Sequence, residues 1–264
     1  MKAFVIFALA LAALSANVSF GDDAPVRKTG DTRTIVLPGG AEMEMIWCGP
    51  GTFKMGSEES ERGRFDDEDV HEVVIRKGFW LGKYEVTQDQ WRSVMLENRA
   101  KFLGHDKPED SVSWHDCQRF IERVNAAIGG GARLPTEAEW EYACRAGSEG
   151  AMSGGADIDD VAWFAGNSFG QSEQVGQKAP NAWGFYDMHG NLLEWCYDWY
   201  SKLGTDKAVD PRGPIHGSFR VLKGGCWFFY ARDCRCAYRL KRDPETRNCL
   251  YGFRLALTER PVRK

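Results

Sequence analysis

Residues 34–57, "TIVLPGGAEMEMIWCGPGTFKMGS", alternate between apolar and polar positions, which is the periodicity of a strand with one face buried. Pro38-Gly39-Gly40 and Gly49-Pro50-Gly51 interrupt the alternation, so a β-hairpin is predicted with its strands divided at these turns. His71–Ile75 and Phe79–Tyr84 carry two further strand patterns. Between them residues 58–69, "EESERGRFDDED", are dominated by charge and predict a solvated loop. Three helix starts follow. Thr87 with Gln90 and Thr136 with Glu139 are capping boxes, and Ser113 stands in the same relation to Asp116. After Ser113, Trp114, Cys117, Phe120, Ile121 and Val124 recur at helical spacing, and Gly129-Gly130-Gly131 ends the pattern. From Gly147 onward glycine, proline, aromatics and short apolar runs dominate. No repeat, low-complexity tract or linker interrupts the chain after residue 34. The pattern predicts one α+β domain over 34–262 with little regular secondary structure.

The totals fit that picture. The chain has 264 residues, a net charge of −4 and a pI near 5.8, which gives no pointer to nucleic acid or an anionic membrane. The first residues read differently. Lys2 precedes an apolar run over residues 3–14 that is too short for a membrane span. Ser19 and Gly21 suit the −3 and −1 positions of a cleavage site before Asp22. Residues 1–21 are therefore expected to be a secretory signal peptide, a buried N-terminal helix being the alternative, and 22–33, "DDAPVRKTGDTR", a flexible linker. The mature chain would then be secreted or periplasmic. Its eight cysteines would meet an oxidising compartment. An even count allows four bridges among 105 pairings. No CxxC occurs, and the CxC at Cys234–Cys236 is a weak metal signature. Structural disulfides with some free thiols are the plainer reading.

Chemistry enters through a series of blocks: "GTFKMGS" (51–57), "GFWLGKYEVTQDQW" (78–91), "SVSWHDC" (111–117), "RLPTEAEWEYACRAG" (133–147), "PNAWGFYDMHGNLLEWCYDWY" (180–200), "FRVLKGGCW" (219–227) and "GFRLAL" (252–257). In this order they resemble the formylglycine-generating enzyme, or sulfatase-modifying-factor, family over about residues 40–257. The resemblance implies a variant of the C-type lectin fold. It also implies a copper enzyme that oxidises a sulfatase cysteine to formylglycine with two cysteines five positions apart, since two soft thiolates hold Cu(I). Here the chain departs from the family. Counting forward from Gly224-Gly225 puts Phe229 at the first catalytic position and Cys234 at the second. Counting back from "CAYR" makes Cys226 the first candidate. The family's histidine is missing in both. Cys236 falls at a position the family enzyme uses structurally, and the resemblance implies a Cys144–Cys236 bridge, with Cys234 as the competing partner.

The resemblance also implies a calcium site in "DMHGNLLEW", with Asp187 and Glu194 supplying carboxylates and Gly190 and Leu192 carbonyls. The alternative is a turn in which Glu194 pairs with an arginine. His115 and His189 lie in motifs of structural residues and form no HxxxH or HxH pair, so structural roles are expected for them.

The stretch Trp227-Phe228-Phe229-Tyr230 remains. Four consecutive large aromatics cannot all face one side of a strand, so at least two are expected to be exposed or to line a cleft. The fold also resembles that of variable proteins of diversity-generating retroelements. There the same C-terminal segment is diversified through adenine-directed changes, and Cys226, Phe228, Phe229, Tyr230, Asp233, Cys236, Cys249, Leu250 and Tyr251 are residues such changes reach. The expectation is an exported domain that has lost the catalytic pair. It would bind an extracytoplasmic protein or glycan through Trp227, Phe228, Phe229, Tyr230, Asp233, Leu250 and Tyr251. One alternative is a copper-dependent cysteine oxidase using Cys234 with Cys226 or Cys236. Another is a structural module beside extracellular hydrolases.

Overall fold

The structure, a computed structural model, describes residues 27–259. The expected signal peptide lies outside the described residues. In chain order the elements are β1 (Thr32–Val36), β2 (Glu42–Cys48), β3 (Gly51–Met55), β4 (His71–Ile75), β5 (Phe79–Gly82), α1 (Gln88–Met95), α2 (Trp114–Ile128), β6 (Ala132–Arg133) and α3 (Glu137–Arg145). The second half holds α4 (Ile158–Val161), β7 (Ala162–Trp163), β8 (His189–Gly190), β9 (Leu193–Trp199), β10 (Ala208–Val209), β11 (Arg220–Lys223), β12 (Arg239–Arg242), β13 (Tyr251–Gly252) and β14 (Ala256–Thr258). Few short helices among several small sheets make this an α+β fold with much irregular backbone.

A five-stranded sheet runs β1-β2-β5-β14-β6, so the last strand closes onto the first part of the chain. A four-stranded sheet, β12-β11-β9-β13, carries the segment of interest at the end of β11. The turn at Pro38-Gly39-Gly40 does join a hairpin, β1 with β2. Gly49-Pro50-Gly51 instead hands the chain to another sheet, where β3 pairs with β4. The segment expected to be a flexible linker ends earlier than 33. Thr32 and Arg33 are already paired in β1, and Arg33 stacks over the Trp80 ring at 4.4 Å.

All three helix starts carry the anticipated caps. In each the side chain of Thr87, Ser113 or Thr136 accepts from the third residue's N–H, and that residue's side chain answers the cap N–H. The α2 stripe Trp114, Cys117, Phe120, Ile121 and Val124 is buried, and Gly129 ends the helix in the left-handed conformation. Trp91 anchors this core, stacked on Phe120 at 5.5 Å and edge-on to Phe253 at 6.2 Å. A second cluster around Trp140, Phe79, Phe185 and Val221 fills the other side of the five-stranded sheet.

The charged loop 58–69 is not a solvated excursion. Glu68 is fully buried and takes both terminal nitrogens of Arg235 at 2.8 Å, while Glu61 takes Arg235 Nη1 at 2.6 Å. The Gly63 carbonyl accepts from Arg235 Nη2 at 2.7 Å, and Phe65 packs edge-on to Tyr238 at 5.6 Å. A buried arginine needs paired acceptors, and the acidic loop supplies them. The loop thus clamps the C-terminal segment from outside.

Candidate functional site

Beyond β11 the chain turns at Gly224 and Gly225, with φ of +95° and +74°. A Cβ on Gly225 would lie 2.5 Å from the Asp233 carbonyl oxygen and 2.6 Å from Cys234 Sγ, so only glycine lets the segment fold back on itself. The four aromatics then divide. Phe228 is 62% exposed and Tyr230 70%, while Trp227 is buried and Phe229 half-buried. Trp227 Nε1 donates to the Cys249 carbonyl at 3.2 Å, and its ring lies edge-on to Phe102 at 5.4 Å and Phe228 at 5.5 Å. Phe229 packs edge-on to Tyr238 at 6.1 Å.

The segment's backbone is pinned. The Trp227 N–H donates to the Asn191 carbonyl at 2.9 Å, the Ser168 hydroxyl donates to the Trp227 carbonyl at 2.7 Å, and the Ala165 N–H donates to the Phe229 carbonyl at 2.9 Å. The loop that makes the last two bonds carries Phe169, 91% exposed, which the sequence reasoning missed. Phe228, Tyr230 and Phe169 therefore sit on a fixed backbone with their side chains in water, at the cost of exposed apolar area.

The remaining candidates lie elsewhere. Tyr251 is a core residue, not a surface one. It is 3% exposed, edge-on to Trp195 at 5.6 Å, and its hydroxyl accepts from Arg242 Nε at 2.9 Å. Leu250 is half-buried against the same core, and Asp233 is half-buried beneath Arg232. Beside the turn Ala231–Asp233 opens a surface cavity of about 520 Å³ lined by Arg62, Ala151, Met152, Ile158, Ala231, Arg232 and Arg235. Arg62 and Arg232 are exposed at its rim, whereas Arg235 is neutralised by Glu61 and Glu68. No sequence signal pointed to this groove, because its lining comes from three separated loops.

The candidate catalytic thiols are withdrawn from the surface. Cys226 and Cys234 are both fully buried under the aromatics. Burial pushes the Cys226 thiol up to about 12 and Cys234 higher still, and no cation acts on either. Phe229 stands where one count places the first catalytic cysteine. Copper held as the family holds it needs two accessible thiolates, and these residues do not supply them.

Cys236 lies apart from that pair. Its Sγ is 3.5 Å from Cys144 Sγ, so the two cysteines expected to bridge are neighbours, but as free thiols. Cys144 Sγ is 3.8 Å from His189 Nε2, and all three ligating atoms lie within 4.8 Å of one another, fully out of solvent. Cys236 is held well below the ordinary thiol range, because the Cys144 thiol donates to it and the Arg145 guanidinium adds positive charge. His189 is thus drawn into a thiol cluster that its own motif did not announce.

The turn expected to hold calcium is occupied by protein donors. Both Glu194 oxygens accept from Arg254, each at 2.6 Å, and one also takes Trp140 Nε1 at 2.7 Å. Glu194 therefore follows the arginine alternative. Asp187 Oδ2 accepts the Gly176 N–H at 2.7 Å, Leu192 donates its N–H to Glu85 at 2.9 Å, and Gly190 pairs with Trp163 in β7–β8. Of the two carboxylates expected to hold the ion, Asp187 keeps one oxygen, Oδ1, buried without a partner. A calcium ion would have to displace a buried arginine from Glu194, so this donor set does not fit it.

With this geometry in hand the relatives can be placed. Residues 36–259 match the sulfatase-modifying factor enzyme 1-like domain, and the chain belongs to that family. It is 32% identical over 250 residues to the serine/threonine-protein kinase pkn1 of Chlamydia pneumoniae, covering 81% of this chain and 38% of that protein. It is 29% identical over 213 residues to the formylglycine-generating enzyme of Bos taurus, covering 74% of this chain and 54% of the enzyme. Among solved structures, Treponema denticola variable protein 1 superposes with a TM-score of 0.80 at 28% identity, covering 88% of this chain and 99% of that one. The chain thus spans between about a third and a half of the two longer relatives. Among the described residues no helix is long and apolar enough to cross a membrane.

Proposed function

We propose that this chain is an exported binding domain of the sulfatase-modifying-factor family, not a working formylglycine synthase. Its ligand is a protein or glycan met in the periplasm or outside the cell. The observation that carries this reading is the division of the 226–234 segment. The thiols that oxidase chemistry would use are sealed and protonated, while Phe228 and Tyr230 stand out on a hydrogen-bonded backbone. Exposed, pre-ordered aromatics lose little side-chain entropy on binding and are the usual anchors of an interface. The likeness to a variable protein over nearly its whole length is consistent with this reading.

Two assays test the proposal. The chain is incubated with Cu(I), oxygen and a Cys-x-Pro-x-Arg peptide, and the product is read by mass spectrometry. No formylglycine is expected, and product that disappears in Cys234→Ser would overturn the reading. In parallel, binding to a glycan array and to an arrayed set of extracytoplasmic proteins is compared between the wild type and the Phe228→Ala/Tyr230→Ala variant. A signal lost in the folded variant is expected, and signals indifferent to both residues would remove the face from the argument.

A further inference from the structure

We infer that Cys144, His189 and Cys236 form a buried site for a thiophilic d10 cation, copper(I) or zinc(II). Three separate elements bring the ligands together: the last turn of α3, strand β8, and the chain just after the turn Ala231–Asp233. A metal about 2.3 Å from sulfur and about 2.0–2.1 Å from nitrogen, at tetrahedral to trigonal angles, sets S···S at about 3.8–4.0 Å and S···N at about 3.5–3.8 Å. The observed separations are 3.5 Å for Sγ–Sγ and 3.8 Å for Cys144 Sγ–Nε2. Movements of a few tenths of an ångström complete those two edges. A disulfide demands far more, since its sulfurs lie about 2.05 Å apart.

The imidazole is held ready for this role. Its Nδ1 lies 2.7 Å from the Cys234 carbonyl oxygen, which can only accept, so Nδ1 carries the proton and Nε2 the lone pair. A backbone carbonyl bound behind a histidine is the usual means of orienting a metal ligand. Nε2 at present accepts the Ser153 N–H at 3.1 Å, with the Ser153 hydroxyl 2.7 Å away, and a metal would replace the amide. A cavity of about 10 Å³ bounded by Ser153, Asn181, Asp187 and His189 has the volume of one water, which can take up the released N–H. Two thiolates and an imidazole select soft ions over calcium or magnesium. The site leaves out Cys226 and Cys234 and shares only Cys236 with the oxidase alternative.

The test uses the whole chain, purified under reducing, oxygen-free conditions and stripped of metal. It is titrated separately with Zn²⁺ and with Cu(I), each against a competing chromophoric chelator, and stoichiometry is read by native mass spectrometry. One ion per chain is expected in at least one arm, and the tighter arm names the metal. Cys236→Ser and His189→Gln should each weaken binding by at least ~10-fold. Cys249→Ser, which removes a partly exposed thiol outside the site, should bind as the wild type does. If the ligand variants fail to fold, X-ray absorption of the loaded wild type decides, with two sulfur donors and one nitrogen expected. Three results would overturn the inference: no bound ion, binding unchanged in folded Cys236→Ser, or a Cys144–Cys236 disulfide that resists reductant in the native chain.

Discussion

Arg254→Met asks what neutralises the buried carboxylates behind the DMHGN turn. Arg254 and Glu194 are both 0% exposed, joined by two hydrogen bonds of 2.6 Å, and the electrostatic field of Glu85 and Asp187 also falls on the guanidinium. Removing one partner of such a pair strands a charge in the interior and costs about 3–5 kcal/mol. The Gly82 and Tyr186 carbonyls, each 3.1 Å from the guanidinium, lose a donor as well, at about 1 kcal/mol or more apiece where water cannot replace it. A total loss of about 5–7 kcal/mol is expected, which for a domain of this size lowers Tm by roughly 10–30 °C. Urea denaturation of the wild type, Arg254→Met, Glu194→Gln and the double variant measures it. The double variant should lose clearly less than the sum of the singles, because it removes both charges. A single-variant loss below about 1 kcal/mol would refute the reasoning. So would rescue of Arg254→Met by millimolar calcium, which would mean that Glu194 serves a cation after all.

Replacing both Phe228 and Tyr230 by alanine should leave the urea midpoint nearly unchanged, within about 0.5 kcal/mol, because both side chains already stand in water; a large loss would show that they pack. Gly225→Ala should cost more than about 2 kcal/mol, since the added Cβ meets backbone and sulfur at 2.5–2.6 Å in a left-handed conformation; thermal melting of the variant checks this. Asp198 is pushed up to about 8 by burial and by the neighbouring Glu137. Its folded form therefore keeps a proton that the unfolded chain releases near the ordinary value of 3.8, and its contribution falls as pH rises from there through about 8. Urea midpoints at pH 5 and pH 9 should drop more for the wild type than for Asp198→Asn, and equal drops would contradict the assignment.

What the sequence disclosed follows from the range of the interactions involved. Capping boxes and the α2 stripe are local, set by residues three and four apart, and each appears where the spacing placed it. Two of the four aromatics are exposed as anticipated, but they lie in a turn after β11 rather than on a strand, so the division is set by the turn and not by strand alternation. Tyr251 misled because parity alone does not say which side of β13 faces the core, and that is decided by Trp195 on the parallel neighbour β9. The acidic loop 58–69 misled for the opposite reason. Its carboxylates were read by composition, but Arg235, some 170 residues away, draws two of them inward.

The same distinction governs the cysteines. CxC at 234–236 reads as a unit in sequence, yet the two side chains belong to different surroundings. Cys234 sits with Cys226 beneath the aromatics, without a cation, and stays protonated. Cys236, two residues on, sits with Cys144, His189 and Arg145 and is the thiol that ionises first. One intervening residue, Arg235, separates them, fixed by Glu61 and Glu68 from the acidic loop. The loop that sequence composition assigned to solvent therefore fixes the residue that parts the two thiols, one beneath the aromatics and the other beside Cys144 and His189. Loosening Arg235 should disturb both surroundings together, whereas substitutions at Phe228 or Tyr230 should leave that of Cys236 unchanged.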